Sequence, residues 1–276
     1  MNIHQLPDLA ILKIIRYLPI KKLIELYKTN LQIYIKEYLK GNTRLDELES
    51  ILYMELSEQF IRDFRYKVNW TAVSKYLLLS EQFIREFEND IDWNMILQCQ
   101  RLSEPFIRET VRRVVGPGTH FKDDINWNNI SWYQKLSEQF IREFKNKVNW
   151  YGISQMQNLS ESFIREFKNH VSWYIISQDQ KLSEEFIREF KNNVNWYNIS
   201  QYQKLSEEFI REFKNNVNWY NISQYQELSE QFIRQFKNNV YWYNISQNQK
   251  LSREFLNEFD DYIMDASVER YDYFKN

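Results

Sequence analysis

The chain has 276 residues, with 36 Lys and Arg against 38 Asp and Glu, a formal charge of −2. That balance argues against a nucleic-acid binder, which carries a basic surplus, and no apolar run approaches the roughly 18–20 residues of a membrane helix. Four glycines and four prolines are too few turn formers for an all-β sandwich, and the single cysteine, Cys99, can form no internal disulfide, which fits a reducing compartment such as the cytoplasm.

The chain opens on Met1-Asn2-Ile3-His4-Gln5, without the basic start, apolar stretch and cleavage site of a secretory signal. Leu6-Pro7-Asp8 then begins a helix carrying Leu9, Leu12, Ile15 and Leu18, which Pro19 ends. Residues 21–27 read as a second short helix. Residues 31–39 read as a third, with Leu31, Tyr34, Ile35 and Tyr38 inward. Residues 42–55 read as a lead-in helix, with Asp46 and Glu49 at capping-box spacing.

From Leu56 onward the chain is periodic. Leu-Ser recurs at Leu56, Leu79, Leu102, Leu136, Leu159, Leu182, Leu205, Leu228 and Leu251, a period of 23 residues broken by one interval of 34. Tryptophan keeps the same beat at Trp70, Trp93, Trp127, Trp150, Trp173, Trp196, Trp219 and Trp242. Nine copies result, and residues 182–203 recur letter for letter as 205–226.

The sixth copy shows the design. Ser183 can cap a helix, with Glu184 at its positive end and Leu182 and Ile187 as a hydrophobic staple. Asn195 can cap a second helix, with Val194 and Ile199 in the staple positions. Asn192-Asn193 between them suits a left-handed helix end. Phe186, Ile187 and Phe190 share one helix face, and Trp196 and Ile199 another. So few apolar side chains cannot repay the entropy of ordering a lone copy, so each must stack on its neighbours. The expected fold class is all-α: an α-solenoid of nine two-helix copies over residues 56–276, behind a small helical cap at 1–40 and the lead-in at 41–55. Copy three carries an insertion at 110–120, expected to extend its first helix to about Val115 before a Gly116-Pro117-Gly118 turn. Copy nine has Asp265 at the tryptophan position and reads as a C-terminal cap at about 251–276.

Four features could carry function. The tryptophan ladder either stacks sugars or bases or fills the space between copies, and filling is expected. The series Arg62, Arg85, Arg108, Arg142, Arg165, Arg188, Arg211 and Arg234 either clamps acidic groups or forms a neutralised face; a glutamate four residues before each favours the second. Variation between copies concentrates at the third and seventh positions of the second helices, where a solenoid places ligand-reading residues; drift on an unused face gives the same pattern. The target-binding candidates there are Tyr76, Cys99, Asn129, Tyr133, Met156, Asp179, Asn198, Tyr202, Asn221, Tyr225 and Asn248. Finally, the insertion, with Arg112, Arg113 and His120, is either a recognition element or a tolerated loop.

Catalytic chemistry finds no foothold. His4, His120 and His170 lie in unrelated places, no Cys/His spacing suits zinc or a nucleophile, and no Gly-rich phosphate loop is present. Neither enzyme activity nor a cofactor nor a metal is expected.

The run from Leu6-Pro7-Asp8 through Tyr17-Leu18-Pro19 to the leucine-rich Lys22-Leu23-Ile24-Glu25-Leu26 resembles the F-box, over about 30 residues. Leu9, Thr29-Asn30 and Ile33 depart from that family's pattern. The resemblance implies that Leu6, Pro7, Leu12, Ile15, Leu18 and Pro19 contact the Skp-type adaptor of a cullin–RING ubiquitin ligase, while a target binds the repeats behind. Alternatively, these helices only cap the solenoid. The 23-residue unit is similar to tandem repeats in proteins of giant, mimivirus-type DNA viruses, which the Asn, Lys, Ile and Tyr-rich composition suits; this would place the chain in a host cytoplasm. The leading expectation is a non-enzymatic adaptor, monomeric alone, that brings a protein target to a host ligase without binding nucleic acid or membrane. The other expectation is a freestanding protein-interaction scaffold with no ubiquitin link. An RNA reader with one base per copy is disfavoured by the net charge.

Overall fold

The computed structural model describes residues 22, 25, 56–114 and 125–264. Lys22 and Glu25 are helical and joined by an ion pair of 2.7 Å. Leu6, Pro7, Leu12, Ile15, Leu18 and Pro19, the lead-in, the Gly116-Pro117-Gly118 turn, His120 and Asp265 lie outside the described residues. The chain divides into two compact units, Met1–Val148 and Asn149–Asn276. Both are built only of helices among the described residues, two per copy, at the 23-residue period.

Local chemistry sets each helix. In copy six the first helix is Glu184–Glu189, and its cap Ser183 accepts from the Phe186 N–H. The second is Trp196–Tyr202, where Asn195 accepts from the Asn198 N–H. Such caps satisfy amides that a helix start leaves without partners. Phe190 closes the first helix at φ −108° and ψ 28°, and a further turn follows, its carbonyl accepting from Asn193 and Val194. Two second helices lack a side-chain cap bond, those preceded by Ser172 and Tyr241. The extended helix expected in copy three is present as Glu104–Val114.

Packing follows the period. In the first unit Trp70–Tyr76, Trp93–Cys99 and Trp127–Tyr133 lie against one another in succession. In the second unit Trp150–Met156, Trp173–Asp179, Trp196–Tyr202, Trp219–Tyr225 and Trp242–Asn248 do the same. A file of fully buried phenylalanines runs beneath them, Phe60, Phe83, Phe106 and Phe140 in the first unit and Phe163, Phe186, Phe209, Phe232 and Phe255 in the second. Phe83, Phe106, Phe163, Phe186, Phe209, Phe232 and Phe255 each meet the tryptophan of the copy before, as Phe209 meets Trp196 at 6.2 Å, with Phe213 at 4.9 Å from the same indole. The last copy closes the second unit differently. Residues 260–264 are helical, and Tyr262 lies 5.0 Å from Trp242, which is only 8% exposed while the other tryptophans stay half-buried.

Candidate interaction surface

A repeat protein's usable surface is what remains after neighbouring copies have taken their share, so the shared bonds come first. Within each unit opening glutamates of first helices reach the next copy: Glu184 accepts from the Ser206 N–H at 2.6 Å and Glu207 from Ser229 at 2.6 Å. Glu104 does the same for Ser137. Arg62, Arg108, Arg165, Arg188, Arg211 and Arg234 turn both back to their own helix and forward to the next copy. Arg188 stands 3.7 Å from Glu184, donates to Glu212 at 2.7 Å, and lies 5.0 Å over the Phe209 ring. The neutralised reading of the arginines therefore describes the geometry, but the main carboxylate partner belongs to the following copy, not to the residue next in sequence.

Hydrogen bonds of this kind move titrations. The N–H and hydroxyl of Ser252 hold the Glu230 carboxyl below its ordinary value, and the Arg108 guanidinium, aided by Arg112, does so for Glu143. A carboxyl depressed on folding stabilises the fold above its unfolded value and loses that contribution as pH falls through the folded one. The melting temperature is thus expected to be flat from pH 7 down to about 5 and to drop once pH passes below the ordinary carboxyl value of 4.5. Circular dichroism melts at neutral and acid pH check this; an unchanged melting temperature at pH 3 would count against it. Arg112, which the sequence leaves in either a recognition element or a tolerated loop, donates to Glu143 at 3.1 Å and so helps hold the extended helix to copy four.

The tryptophans are structural. The Trp196 indole N–H donates to the Lys191 carbonyl at 3.0 Å while its ring packs on two phenylalanines, the filling role expected of it.

Two further ladders were not legible as such. Ser200 Oγ donates to the Trp196 carbonyl at 2.7 Å and accepts from the Asn218 N–H of the next copy at 2.9 Å. Gln203 bridges more: its amide donates to the Ser177 and Gln180 carbonyls at 3.0 and 2.9 Å, and its oxygen accepts from the Leu182 N–H at 3.1 Å. Gln100, Gln134, Gln180, Gln226 and Gln249 repeat the arrangement. The available signal was the near-constant Ser and Gln, replaced only by Leu97 in copy two and Leu77 in copy one, on the helix side that also carries Trp196 and Ile199.

The variable positions split in two. Third-position residues point into the stack. Asn198 is 1% exposed, and its amide donates to the Tyr174 carbonyl at 2.9 Å; Asn221 does likewise to Tyr197 at 3.0 Å. Asn129 is half-buried and donates to the Asn94 carbonyl at 3.3 Å. The adjacent second helix covers Asn198 and Asn221, which takes them out of the accessible surface, while Asn129 stays partly accessible. Seventh-position residues stay accessible. Tyr133 in the first unit and Met156, Tyr202 and Tyr225 in the second are about half exposed; Cys99, Asp179 and Asn248 are exposed and Tyr76 is half-buried. Asn248 also donates to the Asn244 carbonyl. Missed by the sequence reading is a second accessible row at the second position, Tyr151, Tyr174, Tyr197 and Tyr220, each exposed.

Among the described residues no group of His, Cys, Asp or Glu is arranged to hold a metal ion, and no helix is long and apolar enough to cross a membrane. What the helices, period and ladders define is an α-solenoid repeat protein. Comparison of the chain with family models, curated proteins and solved structures found no match.

Proposed function

We propose that the chain is a non-enzymatic protein-interaction scaffold, and that its N-terminal residues link a target bound on the repeats to a Skp-type adaptor of a cullin–RING ubiquitin ligase. The observation that carries the scaffold reading is the division of labour within each copy. The recurring Glu, Arg, Ser, Gln and Trp are committed to adjacent copies, whereas the varied seventh-position side chains remain accessible. Tyrosine, frequent in both accessible rows, offers large amphipathic contact area at low entropic cost, which suits protein recognition. Support for the ligase link is the F-box-like Leu6-Pro7 start and Tyr17-Leu18-Pro19 end.

Binding of the full chain to a purified Skp-type adaptor tests the link. The intact protein is expected to bind, and Leu6→Asp combined with Pro7→Ala to abolish binding while the repeats still melt cooperatively. Failure of the intact protein to bind removes the ubiquitin link and leaves the freestanding scaffold. That second reading rests on the repeats being held by bonds among themselves, and it expects deletion of residues 1–40 to leave target binding unchanged.

A further inference from the structure

In the second unit the lysines behave unlike the arginines. Arg165, Arg188 and Arg234 each hold a glutamate of the following copy at 2.7, 2.7 and 2.9 Å, and Arg211 holds Gln235. Lys168, Lys191, Lys214 and Lys237 share one position, in the turn after the first helix. All four are exposed, and none makes an ion pair or side-chain hydrogen bond among the described residues. Their backbones are nonetheless fixed in the same way. Each lysine carbonyl accepts an indole N–H, from Trp173, Trp196, Trp219 and Trp242, at 2.9–3.0 Å. The carboxylates nearest in sequence to Lys191 and Lys214 are Glu189 and Glu212, already occupied by Arg165 and Arg188. Exposed asparagines follow Lys191, Lys214 and Lys237, with side-chain amides that make no bond among the described residues. In copy nine the equivalent residue is Asp260, so the basic row stops there.

We propose that this row is a docking surface for an extended acidic polypeptide segment with a carboxylate at about every third residue. Packed helical layers lie roughly 8–10 Å apart, and an extended or polyproline chain advances about 3.1–3.3 Å per residue. Three residues therefore match one copy, placing one carboxylate on each ammonium group, while the asparagine amides meet the peptide backbone. A nucleic acid fits less well. One ammonium per layer is sparse beside a duplex carrying one charge per roughly 1.7 Å, and the tryptophan rings that would stack bases already pack against phenylalanine. The proposal depends neither on residues 6–19 nor on the tyrosine rows.

The test uses the full chain and a fluorescein-labelled peptide of about a dozen residues, glutamate at every third position and neutral residues between, read by anisotropy. The same peptide with glutamine for glutamate and a U-rich RNA of similar length are the comparison probes. The acidic peptide is expected to bind and the glutamine peptide not. Lys191→Glu with Lys214→Glu should weaken binding about tenfold or more, two attractions having become repulsions. Lys181→Glu with Lys204→Glu makes the same charge change in the other connection of each copy and should weaken it less than about twofold. Circular dichroism should show all variants equally folded, since none of these side chains has a partner to lose. Equal losses in the two double variants, equal binding of the glutamine peptide, or tighter binding of the RNA would each overturn the proposal.

Discussion

Replacing Gln203 with alanine is expected to destabilise the second unit by about 3–5 kcal/mol, more than its half-polar side chain would suggest. The residue is buried, and its truncation strands two carbonyls, of Ser177 and Gln180, and one N–H, of Leu182. Each backbone group left without a partner in a closed site costs about 1–3 kcal/mol. All three lie where copy five hands over to copy six, so the loss is local to one junction. In a chain whose stability is a sum of copy and junction contributions, urea unfolding should then show an early step ahead of the main transition. Gln203→Glu is expected to be worse at pH 7, because a carboxylate keeps the acceptor but turns its second oxygen on two carbonyls. Urea titrations followed by circular dichroism check both variants. A shift in midpoint worth less than about 1 kcal/mol for the alanine variant would show that solvent replaces the bridge.

The second large effect belongs to the phenylalanine file. Phe209 is fully buried, 6.2 Å from Trp196 and 4.7 Å from Phe213, with the Arg188 guanidinium 5.0 Å over its ring. Phe209→Ala removes the burial and leaves a cavity whose walls are other copies' side chains, a loss of about 3–5 kcal/mol. It also removes the surface over which Arg188 is held, so the pair with Glu212 should loosen. Tyr202→Ala, by contrast, alters an accessible residue and should stay within about 0.5 kcal/mol of the original. Chemical unfolding of the two variants side by side separates packing from surface. Equal destabilisation would mean that the tyrosine row is part of the core.

What could be read before the structure was whatever depends on a few neighbouring residues. Ser183 and Asn195 were legible as caps because a cap bonds only two or three residues ahead. Phe186 and Ile187 were legible as core because helical periodicity places them on one face. The misreadings share one cause. The carboxylate partner of Arg188, the burial of Asn198 and the three-way bridge of Gln203 all depend on where the adjacent copy lies, and helical spacing within a copy carries no information on that. Asn198 and Tyr202 stand four apart on one side of one helix, yet the neighbouring helix covers the first and clears the second. Repetition held a clue, since Ser and Gln return in most copies, with Leu97 and Leu77 as the exceptions, without an apolar reason to do so.

Within the second unit the links from one copy to the next recur on the same residue types, glutamate to serine amide, arginine to glutamate and glutamine to carbonyl, with Gln235 replacing a glutamate only opposite Arg211. A gene encoding such links tolerates slippage by whole modules: excising or duplicating 23 residues rejoins matching halves of an identical joint. The verbatim recurrence of 182–203 as 205–226 is what a recent duplication of that sort leaves behind. Array length is thereby free to change in evolution while every joint stays the same, and Tyr262 over Trp242 gives each new length the same terminus.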